Sequence, residues 1–249
     1  MDLIVCMKRV PDSAARIRVA ESGTSIDKGG LDWIISPYDE IALERAIQIR
    51  EAQGGSVTVV CLGPPEATKE IRQALAMGAD QAIHVKDPHG NRGPLGIAKI
   101  LAKTLEGRAF DAILFGRQSI DADNSAVGVM VAHLLELPCI TLVTKLDMAD
   151  GTATAHREAE GGTEVIDVKL PAVFTAQRGL AEPRYPSIKG IMMAKKKPIE
   201  EADASAPSGA LAVEKIEPPA AREGGKIVGE GADAVDELVR LLRQEAKVL

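Results

Sequence analysis

Up to about residue 145 the apolar residues fall in short, nearly unbroken runs: LIVCM (3–7), VTVVCL (57–62), AIHVK (82–86), AILF (112–115) and ITLV (140–143). Runs rich in Val, Ile and Leu with no polar alternation predict strands buried on both faces. Between them the apolar spacing changes to that of a helix. SPYDEIALERAIQIR puts Ile41, Leu43, Ala46 and Ile47 on one face. Its start has helix-entry chemistry: Ser36 as N-cap, Pro37 in the first turn, and Asp39 at the capping-box position. EATKEIRQALAM ends at Gly78, a suitable residue just past a helix. PLGIAKILAKTLEG, from Pro94, aligns Leu95, Ala98, Leu101, Ala102 and Leu105. A fourth helix carries Val127, Val131, Leu134 and Leu135.

Strands alternating with helices predict an α/β fold in three layers: a mostly parallel sheet with helices on both faces, held by right-handed crossovers. Beyond residue 145 the pattern changes. TATAHREAEGG and TEVIDVKLPAVF predict a hairpin around Gly161 and Gly162, then a last strand. Residues 1–197 form the α/β domain on this reading. Residues 198–249 form an extended C-terminal arm rich in Pro, Ala, Glu and Gly, ending in an amphipathic helix with Val235, Leu238, Val239 and Leu242 on one side.

Composition narrows the function. The net charge of −6 offers no footprint for nucleic acid or acidic lipid, and aromatics at 2% leave little for base stacking. Cys6, Cys61 and Cys139 are isolated in strand-like runs, and His84, His89, His133 and His156 are scattered. That excludes a recognisable metal spacing and predicts small buried thiols in a reducing compartment. No run has the length of a membrane span, and the opening MDLIVCMKRVPD is not a signal peptide, so a cytoplasmic or, after processing, mitochondrial-matrix protein without direct membrane insertion is expected.

Candidate chemistry sits at strand ends. No P-loop and no strand-linked GxGxxG occurs, and GGLDW (29–33) is only superficially a pyrophosphate loop. In GRQSIDADNSAVG the peptide N–H groups of Asn124, Ser125, Ala126 and Val127 would open a helix at a strand's carboxyl end. Such amides, with the positive end of the helix dipole, suit a phosphate. From these residues alone a second reading stands beside it: Asp123 or Asn124 simply caps the helix. Capping likewise competes with paired-carboxylate chemistry at Asp121 and Asp123. Lys195–Lys197 read as a solvated basic run.

VCMKRVPD, SPYDEIALERA, ALAMGAD, GRQSIDADNSAVG and VKLPAVFTAQRGLAEPRYPSIKGIMMAKKKPIE follow one another between residues 3 and 200. Together they resemble the small (β) subunits of electron transfer flavoproteins. The resemblance implies a heterodimer whose α subunit holds the redox-active FAD, while this subunit buries a structural AMP. It implies partners in acyl-CoA dehydrogenases and a membrane quinone oxidoreductase, and no catalytic residue here. Transferred by position, the backbone from Asp123 to Val127 would hold the AMP phosphate. Cys6, Ser36, Leu62 and Gly63 would line the adenosine pocket, with Ser36 where the family usually has Asn. Tyr38 would lie near the partner's flavin, Leu180 would be a dehydrogenase-docking anchor, and Glu158 would restrain the mobile flavin domain. The run KDPHGNRGPLGIAKILA resembles the AMP-binding branch more than the bifurcating branch, which carries a second FAD. A different class, a stand-alone adenine-nucleotide sensor, would have no use for the arm and terminal helix.

Overall fold

The computed structural model describes residues 1–87, 90, 92–204, 211–221 and 224–249; His89 and parts of the arm lie outside the described residues. The strands are β1 (Asp2–Met7), β2 (Arg9–Pro11), β3 (Trp33–Ile35), β4 (Ser56–Gly63), β5 (Gln81–Lys86), β6 (Ala112–Gly116), β7 (Cys139–Ala149), β8 (Thr152–Ala159), β9 (Gly162–Lys169), β10 (Ala172–Ala176) and β11 (Ile199–Asp203). The helices are α1 (Pro37–Gln53), α2 (Thr68–Met77), α3 (Pro94–Leu105), α4 (Val127–Leu134), α5 (Ile188–Ala194) and α6 (Val235–Leu241).

Nine strands form one sheet in the order β11-β5-β4-β1-β6-β10-β7-β8-β9. Pairing is parallel from β11 through β7 and antiparallel through the β7–β8–β9 extension. The strand pleat sends alternate residues of β1 to opposite layers. Leu3, Val5 and Met7 pack with Leu43 and Ile47 of α1 and Ile71 and Leu75 of α2. Ile4 and Cys6 pack with Ile100 and Leu101 of α3 and Val131 of α4. This two-sided burial explains why the apolar runs show no polar alternation.

Several expectations need correction. β11 lies inside the segment read as arm and adds a parallel strand beside β5, so the sheet extends past residue 198. Its sequence IEEAD is polar because it is an edge strand with its carboxylates outward; Glu201 pairs with Lys86 and Glu200 with Arg108. Leu95 is half-exposed and Leu134 is exposed on the outer side of its helix, while Gly96 and Ile100 take inward positions on α3. Ser36 makes no side-chain cap bond. Lys197 is not solvated with its neighbours: its ammonium donates to Leu75 O at 2.9 Å and Ala79 O at 2.5 Å, satisfying carbonyls at the end of α2. Arg72 holds the same corner through Ala194 O and Lys197 O.

α6 buries no residue, and Val235 and Leu238 remain exposed along it. No helix among the described residues is long and apolar enough to cross a membrane. Phe174, in the middle of β10 and 1% exposed, is among the largest fully buried side chains. Phe174→Ala is expected to cost about 3–5 kcal/mol of folding free energy, read as a fall in the urea midpoint with an unchanged slope.

Candidate functional site

β1 and β6 are neighbours and parallel, yet the helices that follow them pack on opposite faces of the sheet. The chain ends of the two strands therefore diverge and leave a crevice, where ligands bind in sheets of this type. Cys6 and Met7 line it from β1 with Lys8 just beyond, Phe115 and Gly116 from β6, and Leu62 from β4. Ile97 and Leu101 of α3 complete an apolar wall. The opposite rim is polar: Arg117, Gln118 and Ser119, then Asn124, Ser125, Ala126, Val127 and Gly128 at the start of α4.

The turn before α4 is not held by helix caps. No side chain caps the helix, whose N-cap position is Ala126. Asp123 instead accepts a hydrogen bond from Gln118 Nε2 at 2.6 Å, and Ser125 Oγ donates to Gln118 Oε1 at 3.1 Å. Asp123 and Ser125 both have positive φ, 48° and 49°. Left-handed residues interleaved with ordinary ones are the backbone pattern of an anion-binding concavity, although the Asp123 N–H itself is donated to Ser119 O at 2.9 Å. The capping reading of Asp123 and Asn124 is thus overturned: no side chain caps α4, and Asp123 bonds to Gln118 instead. Gly128 lets the turn pack tightly, since a Cβ there would stand 3.1 Å from Thr175 and 3.2 Å from the Phe115 ring.

Asp39 is the residue the sequence reading misassigned. It does not close a capping box. It is buried, and its carboxylate accepts the Lys8 N–H at 2.8 Å and the Gly116 N–H at 2.9 Å, tying the ends of β1 and β6 together. Gly116 must be glycine for this contact, because a Cβ would meet Asp39 Oδ1 at 2.5 Å. Burial raises the Asp39 pKa from 3.8 to about 7, opposed by the two N–H donors and the Lys8 charge and reinforced by Asp121. The Lys8 ammonium points instead to Asp121 at 2.7 Å and Ser119 at 3.4 Å. Cys6 and Cys61, behind Asp39, are neutral thiols; burial pushes Cys61 up to about 12.

Of the residues expected at a nucleotide, the crevice gathers Cys6, Leu62, Asn124, Ser125, Ala126 and Val127 in its wall; Ser36, Tyr38, Gly63 and Asp123 are not part of that wall. Ser36 is fully buried with an unpartnered hydroxyl, next to Lys8 through its own N–H. Tyr38 is half-buried with the Arg117 guanidinium 5.6 Å from its ring centre. Lys8, Asp39 and Arg117–Ser119 were missed. All but Asp39 could have been found from their place just after buried strands.

Residues 24–207 match the electron transfer flavoprotein domain. The chain belongs to the electron transfer flavoprotein family, in its β-subunit branch. Electron transfer flavoprotein subunit beta of Bacillus subtilis is 44% identical over 259 residues, covering 100% of both chains. The Syntrophomonas wolfei protein of the same description is 39% identical, covering 100% of this chain and 98% of the relative. The mitochondrial beta subunit of Oryza sativa subsp. indica is 38% identical, covering 100% of both.

The expected docking segment of this flavoprotein chain is arranged differently from the sequence reading. Leu180 is only 8% exposed and packs in the main core, so it is no protruding anchor. The exposed apolar side chains follow it: Ile188 at 81%, Met192 at 67%, and Ile191 and Met193 near half, all on α5. Arg184 clamps the intervening loop to α1, reaching Glu44 at 2.8 Å and Glu51 at 2.7 Å. Those bonds hold the Arg184 pKa well above its ordinary value and the Glu51 carboxyl below its own. Glu158 is exposed at the end of β8 and accepts from Gln177 Nε2 at 2.9 Å.

Asp39 makes stability depend on pH. Its folded pKa lies above the unfolded one, so its stabilising contribution is complete below about 4 and is lost as pH rises through about 7. The thermal midpoint is expected to fall further between about pH 5.5 and about pH 8.5 in the native protein than in Asp39→Asn. Equal falls measured by calorimetry would show that the carboxyl is not the titrating group.

Proposed function

We propose that this chain is the nucleotide-holding subunit of a heterodimeric electron transfer flavoprotein: it keeps an AMP as a structural ligand and positions an α subunit whose FAD carries the electrons. The observation carrying this reading is the crevice between β1 and β6, apolar on one side and rimmed by the stretch from Asn124 to Gly128 at the start of α4, with left-handed backbone at Asp123 and Ser125. The residues fit AMP. Leu62, Ile97, Leu101 and Phe115 suit the faces of a purine, and the N–H groups from Asn124 to Val127 suit one phosphate. The partner's flavin supplies the redox chemistry, and this chain contributes position and electrostatics. The unpartnered apolar residues of α6 support a docking surface for the α subunit.

On this reading electrons arrive from acyl-CoA dehydrogenases, leave to a membrane quinone oxidoreductase, and the apolar face of α5 takes over the docking role first expected of Leu180. An exposed aliphatic side chain within a small apolar patch has the character of an interface hot spot; a buried one holds the loop.

Two measurements test the proposal. Denaturing the purified heterodimer and weighing what is released is expected to give one AMP and one FAD. Two flavins, or no adenine nucleotide, would overturn the AMP-holding assignment. Ile188→Ala is expected to raise the dehydrogenase's KM for this carrier by roughly tenfold with AMP content unchanged. Leu180→Ala should instead lower stability by about 2–5 kcal/mol in denaturant unfolding.

A further inference from the structure

We propose that Met192 and Met193 of α5 are a reversible oxidation site: hydrogen peroxide converts their thioethers to sulfoxides, and the polar face that results docks the dehydrogenase poorly. The inference rests on the docking reading of α5 and adds a means of controlling it.

Burial singles out these two sulfurs. Of the seven methionines, Met7, Met77 and Met148 are 6%, 4% and 4% exposed and Met1 and Met130 are half-buried, whereas Met192 is 67% and Met193 51% exposed. A buried sulfur reacts only when its surroundings open, so exposure orders the reactivity. Helix geometry then puts the more exposed sulfur in the middle of the apolar face. Gly190 lies too close to Ala76 O to leave room for a Cβ, and Ala194 is buried, so both turn toward α2. Ile188 and Met192, four residues apart, stack on the opposite side, with Ile191 and Met193 flanking them.

The step transfers one oxygen and two electrons. A sulfur lone pair attacks one peroxide oxygen, and the S–O bond forms as the O–O bond breaks. The departing hydroxide takes the proton of the transferred oxygen and leaves as water; sulfur is oxidised and peroxide reduced. A flexible apolar side chain thereby becomes a polar one. Docking must then strip water from the sulfoxide without a matched donor to replace it. Flavins that lose electrons to dioxygen generate hydrogen peroxide, so on the proposed function the oxidant arises within the same electron-transfer assembly.

The test treats the purified heterodimer with hydrogen peroxide and maps added oxygen by peptide mass spectrometry. Met192 and Met193 are expected to be oxidised before Met7, Met77 and Met148. The dehydrogenase's KM for the oxidised carrier should rise at least about fivefold with kcat kept, as for damage to an interface hot spot. Methionine sulfoxide reductases of both stereochemical types should restore the native mass and the KM. In the double variant Met192→Leu, Met193→Leu, which keeps the apolar surface, peroxide should leave KM within about twofold of that variant's own untreated value. Oxidation of the buried methionines at the same rate would overturn the inference. So would an unmoved KM in the oxidised native carrier, or an equal rise in the double variant. If Ile188→Ala raises KM while oxidation does not, only this inference falls; if neither does, the docking reading falls with it.

Discussion

One buried carboxylate holds the carboxyl ends of β1 and β6 at a fixed separation. Their parallel ladder runs to Cys6 and Phe115, and just beyond it the chains leave for helices on opposite faces of the sheet. Asp39 bridges them there through two main-chain N–H groups, Lys8 and Gly116. Its own place is set by α1, which is buried against the sheet through Leu43, Ala46 and Ile47. The cost of burying this group appears in its raised pKa. That cost is borne at the mouth of the crevice, as expected where local stability yields to a site.

The layered sheet was readable because burial on both faces leaves little freedom: its central strands are apolar at nearly every position, and each helix must show a stripe. The crevice was half readable. Residues immediately after buried strands, such as Gly116 and the start of α4, are placed by topology, so their position follows from the strand pattern. Asp39 was not readable, because Ser-Pro-x-Asp at a helix start has the same letters whether the Asp closes a capping box or reaches across to another strand. The choice depends on β6, more than seventy residues away in sequence. β11 was lost for a related reason. An edge strand needs no apolar outer face, and IEEAD has the composition of a linker until its partner Lys86 and the parallel ladder to β5 are seen.

The segment from Leu180 to Met193 shows what a motif alone leaves undetermined. Its letters carry the resemblance, but not which leucine or isoleucine faces inward. Tyr185 and Ile188 stand almost free of the protein, while Leu180 sits in the core and Gly190 lets α5 approach α2 so closely that a Cβ would meet Ala76 O at 2.4 Å. α5 therefore lies flat on α2 at that point, and its remaining residues are forced outward. The exposed apolar face follows from packing on the opposite side of the same short helix.

A single rigid element joins the crevice to that face. α1 begins at Ser36 and Asp39 beside the crevice, and two and four turns on it presents Glu44 and Glu51 to Arg184. A helix of this length spans about 25 Å, and its inner face is fixed by the sheet. Glu44 is nearly fully buried, so the Arg184 fork is bound to a group that cannot relax into solvent. Removing the guanidinium would leave a buried charge without its counter-charge, a larger loss than an exposed pair would entail. The loop before α5 is thereby fixed to the same helix that fixes β1 and β6. On the proposed function this helix is the means of acting: it would hold the nucleotide crevice and the exposed face of α5 at constant distance, so that a partner's redox group meets its donor in one geometry.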